Sequence, residues 1–264
     1  LLHEFLGAHT REGKFGGSFA NRTRILREIV AGIRAEGNQI DLAVRLSTFD
    51  MVPHRPDPEL STPGKLGPGI PEEHTTPYPY QFGVNPDDPT QIDLRETVAF
   101  VNLCGELGIK LLNTTAGSPY YTPHLQRPAA YPPSDGYQPA YDPLIDLARQ
   151  IEVVRHLKAG LPGGMAIIAS GLSYLQEYLP HVCQALLRDN WTDCVGLGRV
   201  ILSYPDILAA AMEQGGLEKR LICRTFSDCT TAPRKGLSSG CFPLDDFYAQ
   251  SATAAELKTK KKAG

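Results

Sequence analysis

No stretch of this 264-residue chain holds the roughly 18 consecutive apolar residues that a membrane-spanning helix requires. The start, Leu1-Leu2-His3-Glu4-Phe5-Leu6, lacks the basic opening and long apolar core of a signal peptide. It lacks a methionine as well, so the sequence reads as cut at the front. Cysteine is sparse. Cys104, Cys183, Cys194, Cys223, Cys229 and Cys241 are too few for a disulfide framework in a chain this long. That usage suits a reducing compartment and predicts a cytoplasmic protein. A formal net charge of -3 gives no electrostatic case for nucleic acid or for an anionic membrane as partner. The one basic cluster, Lys258, Lys260, Lys261 and Lys262, lies in an Ala/Thr/Lys-rich end. It is read as a solvated, disordered tail over 251–264 rather than a binding patch.

What the sequence does have is the composition of an ordinary globular domain, with 42% hydrophobic and 21% charged residues, and enough length for one barrel of about 250 residues. Ile25, Leu26, Ile29, Val30 and Ile33 recur at helical spacing, predicting a helix over 18–36 with Ser18 as its N-cap. Further helices are predicted at about 94–107, 143–159, 173–188 and 205–212. Between them stand short, nearly continuous apolar runs at 41–47, 109–113, 166–169 and 194–197. Such runs read as strands buried on both faces of a parallel sheet. Rossmann-like and barrel folds both satisfy this alternation. No G-x-G-x-x-G follows the first strand, which counts against a dinucleotide-binding Rossmann domain. Two connections are unusually long, 50–92 and 114–142. Both follow strands and are rich in aromatic residues, so they are read as ordered lids over a site.

The most informative chemistry lies at the last two strands. Ser170-Gly171 closes one and Gly198-Arg199 the next. Glycine lets backbone N–H groups approach an anion, a following helix N-terminus adds positive charge, and an arginine can fork onto phosphate oxygens. Read as structure alone, the glycines are tight turns and Arg199 a surface charge. Two such ends in succession favour a phosphorylated cofactor or substrate. Arg45 sits mid-strand among Leu42, Val44 and Leu46. It is either half of a salt bridge or a cation aimed at an electron-rich ring.

At this point a resemblance becomes specific. Leu1 to Leu6, then Thr10-Arg11, then Phe15-Gly16-Gly17-Ser18-Phe19-Ala20-Asn21-Arg22 resembles the segment after the fourth strand in Old Yellow Enzymes and 2,4-dienoyl-CoA reductase-like proteins. Val44-Arg45-Leu46-Ser47, Ser170-Gly171 and Gly198-Arg199 with Pro205-Asp206 are similar to that family's flavin segments. The resemblance covers about residues 1 to 212. It implies an α/β fold, the C-terminal half of a TIM (β/α)8 barrel, over 1–221. A cysteine-containing extension at 222–250 and the tail at 251–264 would follow. It implies an FMN-dependent oxidoreductase that passes hydride from NADH or NADPH to an activated alkene or enone. Arg45, Ser170, Gly171, Gly198 and Arg199 would hold the FMN, and Tyr120 and Tyr121 would shape the substrate side. The family's catalytic His pair and Tyr would lie upstream of Leu1, leaving no catalytic residue in this chain. Cys223, Cys229 and Cys241 depart from the family's four-cysteine 4Fe–4S pattern, with Ile222 and Thr225 at the other aligned positions, so reduced thiols without a metal are expected. The rivals are a barrel lyase or isomerase acting on a phosphorylated substrate, and a non-catalytic barrel remnant. The sequence leaves room for a homo-oligomer.

Overall fold

A computed structural model of the chain describes residues 2–213 and 216–262. Leu1, upstream of which catalytic residues are expected, and 263–264 of the expected tail lie outside them. Helices α1 (Leu2–Leu6), α2 (Phe19–Arg22) and α3 (Arg24–Ala35) come first. Ser18 caps α2 by accepting from the Asn21 N–H, as its side-chain chemistry predicts. The single helix expected over 18–36 is interrupted at Thr23, whose hydroxyl donates to Phe19 O at 2.9 Å. Its neighbour Arg22 is buried rather than outward-facing. It donates to Gly17 O at 3.0 Å and to Glu96 at 3.0 Å, which fixes α2 against the helix that carries Glu96.

Strand β1 (Ala43–Ser47) leads into the first long connection, which contains the antiparallel pair β2 (His54–Pro56) and β3 (Gly69–Pro71). Then come α4 (Arg95–Glu106), β4 (Leu111–Thr115), the short α5 (Pro123–Gln126), α6 (Pro143–Ala159) and β5 (Ala166–Ala169). Helix α6 keeps its predicted bounds because both ends are strongly signalled. Asp142 accepts from Leu144 N–H at 2.9 Å, Pro143 opens it and Gly160 closes it. The helix expected over 173–188 instead forms a 3₁₀ helix (Leu172–Tyr178) followed by α7 (Leu179–Arg188), with Gln176 at φ 52° marking the break. Strand β6 (Cys194–Val195), α8 (Val200–Ser203), α9 (Ile207–Glu213), α10 (Asp228–Arg234), α11 (Asp246–Ala249) and α12 (Ala252–Lys262) complete the order.

The four strands β1, β4, β5 and β6 pair in parallel and in chain order. A doubly wound sheet reverses its order at a switch point, whereas a barrel adds each strand beside the last. The ladder is therefore a four-strand segment of a (β/α) barrel. Alternate residues along a strand face opposite sides, and burial follows that alternation. Leu46, Leu112, Thr114, Ile167 and Ala169 are buried under the helices. Ala43, Arg45, Leu111 and Cys194 on the other face are exposed, with Asn113 and Ile168 half-buried. The expectation of strands buried on both faces is thus corrected. Helices cover one face only, and the apolar residues of the other look outward.

The expectation of a disordered tail is also corrected. Residues 252–262 form α12, because Ala254 and Leu257 pack with Ala232 and Phe242 into a small satellite core. The lysines grip α10 and its end: Lys261 Nζ lies 2.7 Å from Asp228 and Lys260 Nζ donates to Lys235 O at 2.9 Å. Leu257→Ala should therefore cost about 2–4 kcal/mol locally. Limited trypsinolysis at Lys258–Lys261 is expected to accelerate severalfold while the barrel segment keeps its melting temperature. Unchanged cleavage would show that the satellite core does not hold the helix.

Candidate functional site

Ser47, Thr114, Ser170 and the glycines that follow lie at the C-terminal ends of the parallel strands, the end where barrels carry their chemistry. A row of hydroxyl-to-carbonyl bonds stitches these ends together. Ser47 Oγ donates to Gly117 O at 2.8 Å, Thr114 Oγ1 to Ile168 O at 2.9 Å and Ser170 Oγ to Thr114 O. Gly196 N–H donates to Ala169 O at 2.7 Å. A Cβ on Gly196 would stand 3.3 Å from that of Ser170, so the ends of β5 and β6 adjoin.

The five residues expected at a cofactor fall into two groups. Ser170, Gly171, Gly198 and Arg199 sit on the adjoining ends of β5 and β6. Ser170 has committed its hydroxyl hydrogen to Thr114 O, so only its backbone N–H remains to donate. Gly171 has φ +87°, a left-handed conformation that favours glycine, and it packs against the side-chain end of Gln150. Gly198 has nothing within 4 Å of an added Cβ; its surroundings are open. The helices that follow are a seven-residue 3₁₀ turn and the four-residue α8. They are too short to supply the helix-end charge expected from sequence. Positive charge here rests on Arg199, whose Nη1 is shut off from solvent and has no acceptor among the described residues. Burial, and then the nearby charge of Arg127, pull the Arg199 proton affinity down to about 10.

Arg45 stands apart, exposed on the uncovered face of the sheet beside Asn113. The Oδ1 of Asn113 is buried and unpartnered. Arg45 belongs to no ion pair among the described residues, so it is not the half of a salt bridge that one reading of the sequence allowed. Tyr120 is 82% and Tyr121 46% exposed. Tyr121 lines a cavity of about 270 Å³ that the sequence did not foresee, with Tyr78, Tyr80, His3 and Asp50. His3 Nε2 lies 2.6 Å from Asp50 Oδ2, and Tyr78 is pushed up to about 12 by burial and then by Asp50. A lone His near the start carried no signal, since its partner lies 47 residues on.

The two long connections are ordered and knitted to each other. His54 N–H donates to Tyr121 O at 3.0 Å, and Gly69 and Gly67 exchange bonds with Gln138 at 2.9 Å each. Beneath them lies a second unforeseen cluster. The rings of His54 and His124 are 4.6 Å apart. His124 Nδ1 is 2.7 Å from Tyr137 Oη. Asp146, buried, takes bonds from Tyr141 at 3.1 Å and Arg149 at 3.0 Å. Cys241 lies within electrostatic reach of Cys223 and Cys229, and burial first of all pushes its thiol up to about 11. Among the described residues no group of three or more His, Cys, Asp or Glu is placed to hold a metal ion, and no helix is long and apolar enough to cross a membrane.

No protein-family model matches the chain, and no curated protein does. Solved structures do. The 6-hydroxypseudooxynicotine amine oxidase HisD from Pseudomonas geniculata N1 matches at 16% identity with a TM-score of 0.57, over 92% of this chain and 28% of that one. An Old Yellow Enzyme homologue from Zymomonas mobilis matches at 16% identity and a TM-score of 0.45, over 83% and 45% of the two chains. Morphinone reductase in complex with tetrahydroNAD matches at 17% and 0.46, over 94% and 47%. The chain thus spans less than half the length of each, and at these identities the HisD likeness establishes the fold alone.

The buried histidine cluster makes stability depend on pH in two opposed ways. Burial, then His54 and Arg149, hold His124 down at about 3 against an ordinary 6.5. The unfolded chain therefore binds the extra proton between those values, and stability falls as pH drops through that window. His54, also lowered by burial, acts in the same direction. Asp146 is raised by burial to about 6 from 3.8, so the folded state takes its proton first and stability rises as pH drops from 6 to 4. Asp146→Asn should leave His124 unopposed and lose about 1.4 kcal/mol per pH unit across that interval. His124→Gln should shift the slope the other way. Urea midpoints at pH 4, 5 and 6 check this; identical profiles in both variants would refute the assignment.

Proposed function

We propose that this chain is the C-terminal portion of an FMN-dependent oxidoreductase barrel of the Old Yellow Enzyme type. The observation that carries the reading is one arrangement of cations on a single parallel ladder. A free guanidinium, Arg45, stands on the uncovered strand face, and a buried, unpartnered one, Arg199, stands where β5 and β6 end together. Flavin mononucleotide has an electron-rich ring and a phosphate. The orphaned donor at Arg199 and open space at Gly198 suit the phosphate, and Arg45, with no side-chain hydrogen bond or ion pair among the described residues, suits the ring. The fold shared with an amine oxidase is compatible with this.

In this reading the backbones of Ser170, Gly171 and Gly198, with the Arg199 side chain, hold the phosphate. Arg45 offers positive charge to the ring's pyrimidine edge, and Tyr120 and Tyr121 border the substrate. Bound there, FMN supplies hydride-transfer chemistry between NADH or NADPH and an activated alkene or enone. The His pair and Tyr that would orient and protonate the acceptor are assigned to a part of the protein outside these residues. Losing a general acid costs about 10²–10⁴-fold, and losing positioning adds several kcal/mol of barrier. The 264 residues alone should therefore reduce an enone no faster than free FMN does.

The test is flavin titration of this chain followed by fluorescence quenching. Saturable quenching by FMN supports the proposal and its absence overturns it. Arg45→Ala should leave stability within about 0.5 kcal/mol of wild type, since the side chain is exposed and unbonded. It should weaken FMN and riboflavin by the same factor, because it touches the ring and not the phosphate. Equal affinities for Arg45→Ala and wild type would remove Arg45 from the site.

A further inference from the structure

Arg234, the last residue of α10, holds the second long connection at two points. Its Nη1 donates to Asp135 Oδ1 at 2.8 Å and its Nη2 to Pro119 O at 2.9 Å. The two points lie on either side of α5, whose Leu125 is fixed in the main core. One half-buried side chain thus ties down both flanks of an anchored turn. A guanidinium can do this because its donors form a rigid fork, and bonds from a charged donor are among the stronger ones.

Further contacts from the same part of the chain run alongside. Ala130 N–H donates to Thr225 Oγ1 at 3.1 Å and Ser134 N–H to Thr231 Oγ1 at 3.2 Å. The rings of Tyr131 and Phe226 stack with centroids 5.3 Å apart. Phe226 reaches Tyr131 from a strained turn, since Thr225 at φ 58° and Ser227 at φ 62° flank it. Both angles are left-handed, a region where a β-branched residue such as threonine is rarely found. Such outliers persist only where the surroundings hold them, and they gather at clamps and switches.

This seam can open without unfolding the barrel segment. No described residue after Cys223 joins the main apolar core, and Ala232, Phe242, Ala254 and Leu257 form the satellite core instead. The extension therefore meets the flanks of α5 through hydrogen bonds and one stack. Such bonds exchange with water at small net cost, whereas opening a core exposes apolar surface. Local opening is cheapest along a seam of this kind. Pro119 lies just before Tyr121, which walls the cavity shared with His3, Asp50 and Tyr78. Releasing Pro119 frees that wall.

We propose that α10 is a clasp on the second connection, and that Arg234 is the positioning residue that sets Tyr121 at the cavity wall through Pro119. That Tyr121 borders a substrate rests on the flavin reading; the clasp itself rests on the bonds between α10 and the connection. The cysteine-containing extension then acts by holding the cavity closed.

Hydrogen exchange of the 264-residue chain tests this without any ligand, because the Ala130 and Ser134 amides lie in the seam itself. In Arg234→Ala both should exchange at least about tenfold faster. The amides of β4 and β5 should keep their rates, and the urea midpoint should stay in place. Acetylation of Tyr121 by N-acetylimidazole, mapped by mass spectrometry, should rise severalfold toward the rate of Tyr120. Arg234→Lys, able to make one of the two bonds, should fall between, and Arg188→Ala should match wild type. Asp135→Ala, at an exposed position, should loosen Ser134 while Tyr121 stays slow, because the Pro119 bond survives. It also keeps the test open if Arg234→Ala does not fold. Unchanged exchange at Ala130 and Ser134 overturns the clasp. A urea midpoint that falls with them, or a Tyr121 that does not respond, overturns the positioning role. Flavin titration of the same proteins separates the two ideas. A loosened seam in a chain that does not bind FMN keeps the clasp and sinks the flavin reading. FMN binding with an unchanged seam does the reverse.

Discussion

The parallel ladder of β1, β4, β5 and β6 is the constraint on which the rest of the chain depends. Parallel pairing in chain order brings all four C-terminal ends to one side, and the helices return along one face. Alternation then divides each strand. Leu46, Leu112, Ile167 and Ala169 anchor the helices, leaving Arg45, Asn113 and Ile168 on the other side. Hydroxyls at Ser47, Thr114 and Ser170 tie neighbouring strand ends together. They fix where the two connections and the glycine turns begin. A shift of one residue in β1 or β4 would move Arg45 or Asn113 to the helix side and a leucine to the open side.

Upon this frame the molecule buries charge in two different ways. In the histidine cluster the charges are neutralised locally. Asp146 has Arg149 and Tyr141 as donors, and His124 stays neutral because burial and its neighbours disfavour the imidazolium. That cluster holds the two long connections against α6, with His124 Nε2 buried and without a partner among the described residues. At the ends of β5 and β6 the charges are not neutralised. Arg199 keeps Nη1 out of water with no acceptor among the described residues. A structural network tends to satisfy its own members, while a binding site is left unsatisfied until its ligand arrives. What separates the two is charge, since the unpartnered atom of the histidine cluster belongs to a neutral ring and that of Arg199 to a guanidinium.

The four strands and α6 were legible because apolar runs and strong end signals reported them directly. Ser18, Asp142, Pro143 and Gly160 act on the backbone within a few residues. What escaped the sequence depends on distance along the chain. The pairing of Arg22 with Glu96, 74 residues away, had no local signal. His3 and Asp50 are 47 residues apart, and Arg127 and Thr230 are separated by 103. The tail was misjudged because its lysines outweigh Ala254 and Leu257 in composition, although those two decide its packing. The break at Gln176 was not foreseeable either, since an ordinary glutamine there adopts a left-handed φ. Arg45 and Arg199 were found as candidates, but the degree of enclosure of each was not. Arg45 was expected in a buried strand and is exposed; Arg199 risked being read as a surface charge and is the more enclosed.

The uncovered face of the sheet bears on the same assignment. It presents Leu111, 37% exposed, and half-buried Ile168 beside Arg45. At the outer edge of β1 a groove of about 260 Å³ runs along Ile25, Leu26 and Ile33 of α3, where Ile29 is 42% exposed. An unpaired edge next to an apolar groove invites another strand, and stable proteins cover such edges. A closed barrel does so by adding strands until the two edges meet, and its interior then fills with side chains. Closure would also alter Arg45. A cation that water now solvates would face a low-dielectric interior, where an unpaired charge is expensive and an electron-rich ring is a favourable neighbour. The proposed flavin thus answers a need that closure itself would create, just as its phosphate would answer the one already present at Arg199.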